Sequence, residues 1–170
     1  MLRDKNLAPL SRQHQHALAL CVRLDRALRA GSPDLEAWQG EIQQLYEAEV
    51  AVHFVAEEKI VFVAAARFAE LRSLVEELLG EHALLRSLCS ASAERKLNEP
   101  DLRSLAQTLS AHIRKEERQL FEEMQKRISP DELTILGASL DEALAAAARL
   151  CALPREATKL RPGSDGPRRG

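Results

Sequence analysis

Aromatic residues make up 4% of the 170-residue chain, and no purely apolar run in it is long. Charged side chains interrupt every apolar stretch well short of the ~20 residues that a membrane-spanning helix needs, which excludes a helical membrane protein. The opening segment MLRDKNLAPL has no signal-peptide hydrophobic region. Charge of one sign is also missing. A net charge of −2 gives no case for nucleic acid or an anionic membrane surface as partner. Cysteine is scarce: Cys21, Cys89 and Cys151 are odd in number and lack C-x-x-C spacing, which argues against a disulfide framework, a structural zinc site or an iron–sulfur cluster. They read as small core residues in a reducing cytoplasm. What remains is rich in alanine, leucine, glutamate and arginine, with prolines mostly at element boundaries. This is the composition of one all-α domain, long enough to bury a core.

Two established metal motifs are absent. A ferritin-like di-iron site needs Glu-x-x-His, but the positions three before His53, His82 and His112 are Val50, Leu79 and Leu109. The helical zinc-protease pattern His-Glu-x-x-His does not occur either. A different pattern does. HFVAEEKIVF at residues 53–62 recurs as HIRKEERQLF at residues 112–121. Both segments set a histidine four residues before the first of two glutamates, and both close on an apolar pair, Val61-Phe62 and Leu120-Phe121. On a helix, positions four apart share a face, so His53 with Glu57, and His112 with Glu116, each present an imidazole and a carboxylate together. His14, four residues after Leu10, and His82, four after Leu78, are a second matched pair. The order His, His-x-x-x-Glu, His, His-x-x-x-Glu describes a helical hairpin used twice.

Turn signals divide the chain accordingly. A first helix runs from Pro9 or Ser11 to about residue 30, where Gly31-Ser32-Pro33 ends it. Its apolar stripe (Leu7, Leu10, Ala17, Leu18, Cys21, Leu24, Leu28) contains His14, whereas His16 lies about 200° further round and reads as a surface residue. A second helix begins near Asp34, a plausible N-cap, and carries Ile42, Leu45, Tyr46, Val50, His53, Glu57 and Val61 on one side. A turn near Ala66 to Ala69 separates it from a third, with Leu71, Leu74, Leu78, His82, Leu85 and Cys89. Asn98-Glu99-Pro100-Asp101 breaks the chain before a fourth, with Leu102, Leu105, Leu109, His112, Glu116, Leu120 and Met124. Ser129-Pro130-Asp131-Glu132 opens a fifth, to about Leu153, whose alanine-rich run from Ala143 to Ala148 is expected outside the bundle. Residues 1–153 form the expected domain, and 154–170 read as a disordered tail.

Register supports a shared site. His14 and His53 lie about equally far from the turn near residues 32–33, and His82 and His112 from the turn near 98. A lone histidine on an apolar stripe is more often a hydrogen-bonded core residue than a ligand. Buried carboxylates beside such histidines change the balance, because Glu57 and Glu116 then need a cation or a strong donor. Imidazole with carboxylate suits iron, manganese or zinc.

The ordered motif set resembles the hemerythrin-like, or HHE cation-binding, family over residues 7 to 128. The resemblance implies an up-down-up-down four-helix bundle, here with an additional C-terminal helix. It also implies a non-haem di-iron centre bridged by two carboxylates and an oxo or hydroxo group. By the motif, His14, His53, Glu57, His82 and His112 match family ligands. The oxygen-carrying members place a further histidine four residues after the one matched by His82, and this chain has Arg86 there. They also set the last carboxylate five residues after its histidine, which selects Glu117, where many HHE proteins use four, selecting Glu116. Internal symmetry favours Glu116. So does the helical face, with Glu116 about 35° and Glu117 about 65° from the centre of the apolar stripe. Glu58 and Glu117 then default to solvated or supporting positions. Three functions remain open: binding or sensing of O2, NO or peroxide, a peroxidase-like or iron- or oxygen-detoxifying redox enzyme, and a zinc- or manganese-stabilised interaction scaffold.

Overall fold

The computed structural model describes residues 3–31 and 33–152, with side chains to residue 145. The expected tail at 154–170 and the Cys151 side chain lie outside the described residues. The fold is an all-helical bundle. Helix α1 is Ala8–Ala30, with Pro9 in its first turn, and it ends at Gly31, whose φ of 80° is a left-handed stop that favours glycine. Helix α2 begins after Asp34, whose side chain accepts the Ala37 N–H. It continues through Leu35–Leu45, Tyr46–Val50, Ala51–Ala56, Glu57–Val61 and Phe62–Ala65. The expected interruption follows, a turn at 66–68 and a 3₁₀ turn at Ala69–Leu71, before α3 at Arg72–Ala93. Asn98 and Asp101 form a reciprocal capping box that starts α4, which runs through Glu99–Lys115, Glu116–Leu120 and Phe121–Arg127. Helix α5 is Pro130–Ala152.

Helix α1 packs along α4 and α2 along α3, while α5 lies against residues 51–61 of α2. The core has two parts. One, around Leu10, Val61, Phe62, Leu78, Phe121 and Met124, also receives Leu133, Leu136 and Leu140 of α5. The other is built around Leu24, Phe54, Leu85, Leu105, Leu109 and Ile113. Part of the expected apolar faces was drawn at the wrong angle: Leu20 and Phe54 are buried, whereas Tyr46 and Val50 are only half-buried. The cause is local. Tyr46–Val50, Glu57–Val61 and Glu116–Leu120 are wide π turns, whose hydrogen bonds join residues five apart, so a period of 3.6 drifts across them.

Close approach fixes α5 against the N-terminal segment. A Cβ on Gly137 would stand 2.6 Å from the Asn6 Cβ and Oδ1. Gly137→Ala should therefore destabilise the protein by about 1–3 kcal/mol through overpacking, read as a lower urea midpoint at unchanged m-value. An unaltered midpoint would mean that α5 shifts freely. Among the described residues, no helix is long and apolar enough to cross a membrane.

Candidate metal centre

Among the described residues eight polar or charged ones are buried, and six of them are His14, His53, Glu57, His82, His112 and Glu116. The other two, Gln39 and Ser92, are satisfied by backbone: Gln39 accepts the Leu97 N–H at 2.8 Å, and Ser92 Oγ donates to the Gln39 carbonyl at 3.0 Å. The six converge between the two parts of the core as two overlapping sets. His14, His53, Glu57 and Glu116 form one, and Glu57, His82, His112 and Glu116 the other, with the ligand atoms of each within 4.8 Å of one another.

Both carboxylates serve both sets. Glu57 Oε1 is 2.9 Å from His53 Nε2 and 3.6 Å from His14 Nε2, while its Oε2 is 3.5 Å from His82 Nε2. Glu116 Oε2 is 3.2 Å from His14 Nε2, and its Oε1 is 3.3 Å from His112 Nε2. The wide turns contribute to this. Each begins at the carboxylate and returns a backbone N–H five residues on, from Phe62 to Glu57 and from Phe121 to Glu116. That brings a fully buried phenylalanine onto the carboxylate's own face. Phe62 stacks at 5.3 Å on His82, and Phe121 at 5.9 Å on His14.

An outer ring sets the tautomers. His14 Nδ1 donates to Glu117 Oε1 at 2.7 Å, His53 Nδ1 to Gln13 Oε1 at 2.8 Å, His82 Nδ1 to Glu58 Oε1 at 2.8 Å and His112 Nδ1 to Glu81 Oε2 at 2.9 Å. An ionised carboxylate only accepts, so in His14, His82 and His112 a proton sits on Nδ1 and Nε2 turns inward, as Nε2 of His53 does when Gln13 presents its oxygen. The inward nitrogens then crowd: His14 and His53 Nε2 are 2.8 Å apart, and His82 and His112 Nε2 3.0 Å. Two lone pairs at that distance repel unless a proton or a metal lies between them. The carboxylates make the same demand. All four oxygens of Glu57 and Glu116 are buried without accepting a hydrogen bond. Four nitrogens and four orphaned oxygens around two points fit a pair of cations.

Titration directions follow from this crowding. Burial lowers the His14 pKa, but Glu116, Glu117 and Glu57 outweigh it and raise it well above the ordinary imidazole range. For His112, burial likewise opposes and Glu116 prevails, upward. Burial raises Glu57, yet the charge of His53, with His14 and His82, carries it well below the usual carboxylate range. Burial and Glu57 raise Glu116, but His112 and His14 bring it down on balance. Glu117, opposed by burial but held by His14, Ser11 and Arg3, falls to about 2.

Glu117, the alternative ligand, is turned to His14 Nδ1 and held by Arg3 at 2.6 Å and Ser11 at 2.7 Å. Glu58 occupies the same place beside His82, held by Arg86 at 2.6 Å. Arg86 is therefore spent on Glu58 and on the Phe54 ring 5.5 Å away, and does not reach the centre. His16 is exposed and paired with Glu49 at 2.9 Å. A cavity of about 10 Å³ adjoins His14, His53 and His112, lined otherwise by Ala17, Val50, Phe54, Leu109 and Ile113 with Gln13 and Glu49 at its polar side. It is about the size that one water-sized molecule needs.

The model of the hemerythrin HHE cation binding domain matches residues 6–124. The chain belongs to this family. No curated protein and no solved structure matches it. Its two His and Glu sets could hold metal. Sequence reasoning left Glu58 and Glu117 of this HHE domain as solvated or supporting residues and missed Gln13 and Glu81. A signal for them existed: Gln13 and Glu81 immediately precede His14 and His82, and Glu58 and Glu117 immediately follow Glu57 and Glu116.

Proposed function

We propose that this HHE protein is a cytoplasmic non-haem di-iron protein that binds or reacts with O2, NO or peroxide. In this reading its core is an up-down-up-down four-helix bundle with α5 added outside. His14 and His53 would hold one iron, His82 and His112 the other, and Glu57 and Glu116 would serve both. The observation that carries the proposal is the set of four buried carboxylate oxygens without hydrogen bonds, each facing an imidazole nitrogen. Zinc or manganese would accept the same donors, but two bridging carboxylates with terminal histidines suit a di-iron centre best. When bound, iron supplies one-electron redox chemistry and sites for small ligands. The chain's own residues supply the rest. Glu58, Glu81, Glu117 and Gln13 aim the imidazoles, while Phe54, Phe62 and Phe121 keep bulk water away. The small cavity beside His14, His53 and His112 favours a diatomic or similarly small ligand over a larger substrate.

Metal analysis of anaerobically purified protein, followed by an optical spectrum on exposure to air, tests this. About two irons per chain and a spectral change are expected, and a metal-free or purely zinc protein with a silent spectrum would defeat it.

Arg86 favours reaction over simple carriage. Its guanidinium is tied to Glu58 and supplies no nitrogen to the second set, leaving two histidines per metal. Oxygen taken up by the reduced, iron-loaded protein should therefore not be recovered under vacuum. An optical titration with oxygen and then vacuum reads this directly, and full recovery of the reduced spectrum would point to a carrier.

A further inference from the structure

The outer ring is two-fold symmetric except at one position. The residue after each bridging carboxylate, Glu58 or Glu117, holds the histidine of the next hairpin element, and each is clamped by an arginine, Arg86 or Arg3. The residue before each of the other two ligands also reaches across, Glu81 to His112 and Gln13 to His53. There the symmetry fails, since a carboxylate backs His112 and a neutral amide backs His53.

We propose that the two metal positions differ in strength, the His14–His53 position being the weaker, and that Gln13 sets the difference. The inference rests on the paired-metal reading above. Glu81, itself held by Lys115, can only accept, so it fixes the proton of His112 on Nδ1 and makes Nε2 more basic. Gln13 adds no charge. Its amide also carries two donors, and if these turn to His53 Nδ1 the proton moves to Nε2 and the ligand is lost. Gln13 also lines the small cavity that His14, His53 and His112 share. Outer-shell partners of this kind change metal affinity by about 10- to 100-fold.

The experiment is an anaerobic titration of the metal-free full-length chain with cobalt(II), followed by visible absorption. Two steps separated by about 10- to 100-fold are expected. Gln13→Glu should tighten the second step and bring the two together, and Glu81→Gln should loosen the first. His53→Ala should remove only the weak step, and His112→Ala the tight one. Two equal steps in the unmodified protein, or a Gln13→Glu protein with an unmoved second step, would overturn the inequality while leaving the paired site intact. A protein that takes up no cobalt would overturn both.

Discussion

Glu57→Gln should cost the protein its paired metal and, with it, the stabilisation that metal confers. Glu57 gives one oxygen to each set, so an amide there removes a shared charge from both and places an NH2 where an acceptor is needed. Metal that binds only the folded chain stabilises it by about 2.7 kcal/mol at a free concentration 100 times its dissociation constant, and by about 4.1 at 1,000 times. For a chain of this length that is a rise in melting temperature of roughly 5–16 °C. The Glu57→Gln protein should show almost none of this rise and little bound metal. Glu58→Gln should behave differently. Its carboxylate aims His82 and never faces the metal position, so the stoichiometry should survive with affinity lowered about 10- to 100-fold. Melting curves with and without metal, alongside elemental analysis, separate the two. Equal losses from both substitutions would mean that the inner and outer carboxylates have been assigned the wrong way round.

Metal affinity should also fall steeply on acidification. In the metal-free protein His14 and His112 hold protons to higher pH than ordinary imidazoles, drawn by Glu116 above all. Metal must displace those protons, so loading near neutrality should release on the order of two, and each one released makes affinity about tenfold weaker per pH unit lost. Above the raised histidine values the release should vanish and affinity level off. Stability of the metal-free protein has the complementary form. The raised histidines contribute stability that is complete below the unfolded imidazole value and is lost as pH rises through their folded values. Glu57 and Glu116, both lowered, contribute above the unfolded carboxylate value and lose that contribution as pH falls through their folded values. The metal-free chain should thus be most stable between about pH 4.3 and 6.5, the ordinary carboxylate and imidazole values. The metal-loaded chain should be most stable at higher pH. Calorimetry of loading in two buffers of different ionisation enthalpy counts the protons, and a count of zero near neutrality would refute the account.

Much of this centre was legible in the sequence because its inner residues repeat. His53 with Glu57 and His112 with Glu116 are spaced one helical turn apart, and proline and glycine mark the turns that set His14 and His82 level with them. The turn at 66–71 was harder to see, with neither proline nor glycine in it. The outer ring was legible only in part, Glu58 and Glu117 as solvated or supporting and Gln13 and Glu81 not at all, for a physical reason. Glu58, Glu81, Glu117 and Gln13 each sit about 100° round the helix from a ligand, on a face where a polar residue is ordinarily hydrated, and each acts on a different helix from its own. Phe54 was lost for another reason: α2 does not keep one period throughout, and the face read from Ile42 and Tyr46 does not continue unchanged to Glu57.

The wide turns at Glu57–Val61 and Glu116–Leu120 have a consequence for how this chain tolerates lost residues. A π turn holds one residue more than the α-helix that would span the same rise. Deleting one residue between 58 and 61, or between 117 and 120, can restore the ordinary ladder with both flanks still in register. The same deletion in the regular stretch at 102–112 would rotate everything beyond it by about 100°. The helices next to the carboxylates therefore carry built-in slack, and the bundle could survive a loss there that erased the phenylalanine–carboxylate pairing.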